Sequence, residues 1–245
     1  ADPMSPGGAQ RTYLAMILAL GDMLGKLLDK LEAMRELHNT ISVFTSDHGT
    51  QGGAHAARWW NKKHPYEESL RVPCVVRLPG RERAGETSDA LTAPVDFIPT
   101  LCGLCDLSVP RSVEGYDLSA AWKGATDGVG QDAVFCMNFG SRTDYYEDGN
   151  EWRGVGTREW QYTEWLDGRV ELYDLVDDGL QQTNLADDGA HCETRQALAE
   201  RLRQFQRTRG DEMLPGSAYA AWVDEQRRVI RNGYGELGHP EDAPD

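Results

Sequence analysis

The chain has 245 residues and carries 25 lysines and arginines against 40 aspartates and glutamates, a formal net charge of −15. That balance excludes a general nucleic-acid binder, whose phosphate contacts need basic surface, but it leaves room for one local cationic pocket. No run of about 18 apolar residues occurs, so no membrane-crossing helix is expected, and the 40% apolar, 27% charged composition is that of a globular chain with a core to bury.

In chain order, Ala1-Asp2-Pro3 before Met4 reads as a cloning remnant and is set aside. Residues 11–37 place Tyr13, Met16, Ile17, Leu20, Leu24, Leu27, Leu28, Leu31 and Met34 at three- and four-residue steps, which predicts one long amphipathic helix. The β-branched and aromatic run from Thr40 to Thr45 predicts a strand. It ends in Ser46-Asp47-His48-Gly49, and open α/β sheets place their ligands at such carboxyl ends. Residues 50–69 read as a loop, residues 72–78 as a second strand closed by Pro79-Gly80, and residues 94–105 as a short helix with proline in its first turn. Residues 106–132 read as irregular and residues 133–138 as a third strand.

After about residue 150 the pattern changes. Residues 153–157, 161–165 and 170–173 are short strands at hairpin spacing, with Asp167-Gly168 marking one turn. Two helices are expected near 192–207 and 217–231, and then a Gly-, Pro- and acid-rich tail. The expected division is an α/β part over 4–140, a small antiparallel sheet with helices over 141–232, and a flexible tail over 233–245. The five cysteines, Cys74, Cys102, Cys105, Cys136 and Cys192, form no disulfide framework. The Cys102 and Cys105 pair lacks the second pair that zinc requires and reads as small buried apolar residues.

The chemistry concentrates between Thr45 and Pro73, TSDHGTQGGAHAARWWNKKHPYEESLRVP. Asp47 and His48 offer a hard oxygen donor and an imidazole, a pair suited to a divalent cation where a strand-end turn lets them converge. His55 follows across a Gly-rich segment, and Lys62 and Lys63 follow it, so the loop offers a cationic pocket for an oxyanion. Taken singly, each of these residues has an ordinary reading as a turn former or a solvated side chain. Trp59, Trp60, Trp152, Trp160 and Trp165 are open to two readings, stacking on sugar rings or ordinary hairpin packing.

As an ordered string the segment resembles the sulfatase family of the alkaline phosphatase superfamily. Residues 39–49 resemble the family's metal-binding strand with its D-[HN]-G end, and Lys62 through Pro73 resembles its K-x-x-P-Y-E-E-S-x-R-V-P block. Tyr13-Leu14-Ala15-Met16 with Asp22, Gly25 and Leu27-Leu28 resembles the helix before that strand. Val95-Asp96 with Pro99-Thr100 resembles the next helix, and Trp152-Arg153, Tyr162 and Leu172-Tyr173-Asp174-Leu175 resemble the C-terminal subdomain. The resemblance covers roughly residues 11–215. It implies an α/β fold in which an alkaline-phosphatase-like mixed sheet is flanked by helices, followed by a small C-terminal antiparallel sheet with helices. It implies sulfuric ester hydrolysis, with Asp47 and His48 as metal ligands, Lys62 on the sulfate (Lys63 if the register slips by one) and His55 as general acid. The implied metal is Ca2+, with Mn2+, Zn2+ or Fe as alternatives. The implied substrate is a sulfate ester, a sulfated glycan if the tryptophans stack on sugar.

One departure is large. The family's nucleophile is a formylglycine made in a Cys/Ser-x-Pro-x-Arg motif, and no such motif occurs in these 245 residues. The family's first aspartate pair is also missing. The chain therefore reads as the C-terminal part of a sulfatase, whose partner is the missing N-terminal part or a second copy. Two other readings stay open: a phosphonate monoester or phosphodiester hydrolase of the same superfamily, which His48 favours, and a catalytically silent sulfatase-like fragment.

Overall fold

The computed structural model describes residues 6–57, 59–80, 85–125, 130–139, 150–226, 228–232 and 235–236. The chain divides into two compact units, Ala1–Gln131 and Asp132–Asp245.

The first unit opens with helix α1, Pro6–Ala33. It starts five residues earlier than the periodicity suggests, because proline at a first helical position costs no hydrogen bond. It ends earlier too. Arg35 adopts a left-handed backbone (φ 61°) and the Glu36 N–H returns to the Leu31 carbonyl, which closes the last turn. The apolar face of α1 is exposed at Met16, Ile17, Leu20 and Leu27. Strand β1, Ser42–Thr45, is followed by a four-residue helix α2, Glu67–Leu70, and strand β2, Cys74–Arg77. β1 and β2 pair antiparallel with Ser42 opposite Arg77 and Thr45 opposite Cys74.

Helix α3, Phe97–Leu104, is entered through a 3-10 turn at Pro94–Asp96. The fully buried Asp96 carboxylate fixes that turn by accepting from the Ala93 and Tyr116 N–H groups (2.7 and 2.9 Å) and from Gln131 Nε2 (2.6 Å). A buried carboxylate is tolerable only with such partners. Cys105 is exposed and Cys102 half-buried, which corrects the expectation of two buried thiols: α3 turns Pro99 and Thr100 inward, and Cys105 lies past its end. The stretch read as irregular contains one short helix, α4, Ser119–Trp122.

The second unit is a four-stranded antiparallel sheet, β3 (Val134–Asn138), β4 (Trp152–Gly156), β5 (Trp160–Trp165) and β6 (Val170–Asp174), in sequential order. The β5–β6 turn is the expected Asp167-Gly168, with Gly168 at φ 88°. Helix α5, Cys192–Arg209, lays Leu198, Leu202 and Phe205 over Val155, Tyr162 and Leu172, and this cluster is the unit's core. The spacing of those three residues is the helical stripe that packing on a sheet requires. Gly210 (φ 60°) ends the helix.

The second helix expected over 217–231 does not form. A 3-10 segment, Gly216–Trp222, gives way to a Val223–Val229 bridge. The Asp224 side chain accepts from the Arg228 N–H (2.8 Å) and so closes a turn where the helix would have continued. Within the region read as a tail, Gly235–Glu236 pairs as β8 with β7, Arg231–Asn232. Residues 233, 234 and 237–245, and the boundary expected at 140–141, lie outside the described residues.

Candidate active site

Thr45 faces Cys74, so the turn after β1 and the segment before β2 lie at the same end of the pair. Gly49 N–H donates to the Ser69 carbonyl (2.9 Å), and a Cβ on Gly49 would collide with the Glu68 carbonyl. The glycine after Asp47-His48 is thus required by a close backbone approach.

At this strand end the two expected metal ligands converge. His48 Nδ1 lies 2.8 Å from the Gly49 carbonyl. A carbonyl only accepts, so Nδ1 carries the proton and neutral His48 keeps its lone pair on Nε2. That Nε2 lies 3.4 Å from Asp47 Oδ2. Asp47 Oδ1 accepts from the His48 N–H (2.9 Å), and this bond above all holds the Asp47 carboxyl below the ordinary carboxylate range. Both side chains are open to solvent. A carboxylate oxygen and an imidazole nitrogen so spaced fit one cation, and the Nδ1–carbonyl bond is the outer contact that orients a histidine ligand. Among the described residues no group of three or more His, Cys, Asp or Glu side chains gathers around one point.

The loop that follows is closed by a short ladder. Gln51 N–H donates to the Asn61 carbonyl (2.8 Å), Gly52 N–H to the Trp59 carbonyl (3.1 Å), and the Thr50 hydroxyl to the Trp59 carbonyl (2.9 Å). Inside it Gly52, Gly53, His55 and Ala56 all have left-handed backbones, with φ of 59°, 96°, 52° and 55°. His55 thereby lies flat on Tyr66, ring centroids 3.6 Å apart and planes 7° apart, with its Nε2 3.6 Å from Glu68 Oε2. His64 meets the same Tyr66 edge-on at 5.9 Å.

Asn61 Oδ1 accepts from the N–H groups of both Lys62 (2.8 Å) and Lys63 (3.2 Å), which caps the turn carrying the lysines. Lys62 is exposed and Lys63 half-buried. Burial, then the neighbouring Lys62 charge, lowers the Lys63 pKa from the usual lysine value. The Gly49–Ser69 and Gln51–Asn61 backbone bonds join the strand-end turn, the loop that carries His55 and the lysine turn. Gly49, read in the sequence as the end of the D-[HN]-G motif, serves by having no side chain. Glu68, within the Lys62-to-Pro73 block, faces His55, and Asn61, which the sequence reading missed, caps the lysine turn.

Of the five tryptophans singled out in the sequence, Trp152 and Trp165 are buried and pack on each other (6.4 Å), Trp160 packs on His191 (5.6 Å) and Trp59 meets Tyr13 edge-on (6.4 Å). Trp60 is 60% exposed.

Residues 53–208 match the family model described as N-sulphoglucosamine sulphohydrolase, C-terminal. The chain belongs to the sulfatase family. It is 30% identical over 231 residues to an N-acetylglucosamine-6-O-sulfatase of Bacteroides thetaiotaomicron, a match covering 91% of this chain and 40% of that protein. A structure solved in complex with its substrate D-glucosamine-2-N,6-O-disulfate superposes with a TM-score of 0.71 at 29% identity, over 80% of this chain and 40% of the other. The phosphonate monoester hydrolase of Agrobacterium radiobacter superposes with a TM-score of 0.72 at 24% identity, over 93% of this chain and 46% of the other, which speaks to the shared fold. The alkaline-phosphatase-like fold expected from the motifs is thus the fold of this sulfatase chain. It spans about 40% of the length of the relatives it matches.

Proposed function

We propose that this chain is the part of a sulfatase that supplies two metal ligands and the cationic side of the sulfate pocket. The observation that carries this is the Gly49–Ser69 bond, which seats the Asp47-His48 turn against the segment that holds His55's partners. Asp47 and His48 would hold a divalent cation, Ca2+ first, which when bound neutralises charge on the transferring group. Lys62, with Lys63 beside it, places positive charge on the sulfate oxygens. His55 gives a proton to the departing oxygen. The formylglycine nucleophile and the remaining ligands belong to sequence outside these 245 residues, and the exposed apolar face of α1 supports a covering segment there.

The proposed substrate is a sulfated amino sugar. The glucosamine-directed names of the relative and of the substrate complex support this class. Exposed Trp60, two residues before Lys62, offers a ring face for a sugar. His48, an imidazole where calcium prefers oxygen, supports a second reading as a phosphonate monoester hydrolase using Mn2+, Zn2+ or Fe.

The test is a substrate panel on the complete enzyme with each metal in turn: glucosamine 6-sulfate, an aryl sulfate and an aryl methylphosphonate. Highest kcat/KM on the sugar sulfate supports the first reading, and highest kcat/KM on the phosphonate the second. Turnover of none supports a silent fragment.

A further inference from the structure

We propose that Glu68 is a positioning residue for His55, fixing the imidazole with its proton on Nε2 and leaving Nδ1 as the atom that exchanges protons with the leaving group. The inference rests on the assignment of His55 as the general acid made above. It is carried by three features of the loop.

First, Glu68 Oε2 is buried and has no hydrogen-bonding partner among the described residues, while His55 Nε2 lies 3.6 Å away. A buried carboxylate oxygen is costly without a donor, and imidazole N–H is the donor in front of it. The distance is longer than a hydrogen bond, as acid–base contacts often are before substrate binds. Second, the ring cannot turn freely, because it lies flat on Tyr66 at 3.6 Å and its side chain is only 15% exposed. Third, His55 and Ala56 both have left-handed backbones, at φ 52° and 55°. Such conformations persist in non-glycine residues only where the surroundings hold them, and they cluster at functional sites. The described ionisable groups facing this ring are Glu68 at its Nε2 edge and Tyr66 on its face, with His64 behind Tyr66.

The chemistry balances. The S–O bond to the leaving group breaks with its electron pair passing to the leaving oxygen, and the sulfuryl group passes to the nucleophile. The leaving oxygen takes the Nδ1 proton of the imidazolium. Neutral His55 keeps its Nε2 proton, held toward Glu68. A carboxylate in this place selects one tautomer and stabilises the charged ring, as the buried aspartate does in a hydrolase triad.

Two measurements test it. In the 245-residue chain, long-range 1H–15N correlation spectra of His55 should show a protonated Nε2 and an unprotonated Nδ1 at a pH where the ring is neutral. Glu68→Ala should mix the two tautomers, and Glu68→Gln, which keeps an acceptor oxygen, should restore the single one. A protonated Nδ1 in the unmodified chain, or an unchanged tautomer in Glu68→Ala, overturns the proposal. In the complete enzyme, Glu68→Ala should lower kcat on a sugar or alkyl sulfate by about 10- to 100-fold and change kcat on 4-nitrophenyl sulfate by less than about threefold, because only the poor leaving group needs the proton. An equal loss on both substrates marks a merely structural role and overturns it. His55→Ala separates the two claims. If it shows no leaving-group dependence, the acid assignment fails. If it does and Glu68→Ala does not, Glu68 alone is wrong.

Discussion

Gly49 donates its N–H to the Ser69 carbonyl at 2.9 Å, with its Cα against the Glu68 carbonyl. This one contact joins the strand end that carries Asp47 and His48 to the Tyr66–Glu68 segment. Gly49→Ala forces a methyl group into backbone and should destabilise the fold by about 1–3 kcal/mol, the usual cost of overpacking. It should also weaken cation binding at Asp47-His48. Urea denaturation with isothermal titration of Ca2+ and Mn2+ measures both, and unchanged values would show that the two segments are not coupled.

Arg153 is fully buried, with its guanidinium on Asp211 (2.6 and 2.9 Å), Tyr219 Oη (3.1 Å) and the Asn138 carbonyl (3.0 Å). Arg153→Met leaves the Asp211 carboxylate without its charge partner and should cost about 3–5 kcal/mol. Arg203 pairs with Glu200 at 2.8 Å, but both side chains are more than half exposed, so Arg203→Ala should cost less than about 1 kcal/mol. Chemical denaturation of the two variants checks whether burial, rather than distance, sets the difference.

The strand end was legible because it rests on local chemistry, a β-branched run that stops at Asp47-His48-Gly49, whereas the Lys62-to-Pro73 block stood out only through its resemblance to the sulfatase family. The Asp167-Gly168 turn was legible because left-handed backbone favours glycine. By the same reasoning the end of α1 at Arg35 was hidden, since arginine gives no sign of a positive φ, and so was the path that lays His55 on Tyr66 through Ala56. The false helix over 217–231 has a different cause. Its apolar residues sit at helical spacing, but the Asp224 side chain competes for the backbone at the point where the helix would run on.

Glu171 lies on β6, and burial raises its pKa above the usual glutamate value, against the lowering influence of Arg169 and a Trp165 hydrogen bond. For an acid with a raised native pKa, the folded state binds more protons than the unfolded one. Stability is therefore lost as pH rises from about 4.5 through the raised value. Glu171→Gln removes the charge that burial disfavours, so it should be more stable than the unmodified chain at pH 7, with the gain shrinking as pH falls through that window. Denaturant midpoints between pH 4 and 8 test the sign, and a gain that grows on acidification would contradict it.

Lys63 titrates below an ordinary lysine because of burial and the Lys62 charge. A lysine with a lowered pKa loses its positive charge earlier as pH rises, so its contribution to anion binding should fade at lower alkalinity than a free lysine's. Bound sulfate should raise the Lys63 pKa, as should Lys62→Ala, which removes the second cause. NMR titration of the Lys63 side chain with and without sulfate measures both shifts. No response to sulfate would remove Lys63 from the pocket.

We propose that these 245 residues hold the cationic half of a sulfatase site and not its nucleophile. The most direct measurement is aryl sulfate hydrolysis by three samples: this chain, the complete enzyme, and the complete enzyme with Lys62→Ala. Turnover is expected from the complete enzyme alone, with Lys62→Ala reducing kcat by about 10²-fold or more while ground-state binding falls less, because its charge matters most as the sulfuryl group transfers. Metal-dependent turnover by the isolated chain would show that it holds a complete site, and an unaffected Lys62→Ala enzyme would remove Lys62 from the sulfate pocket.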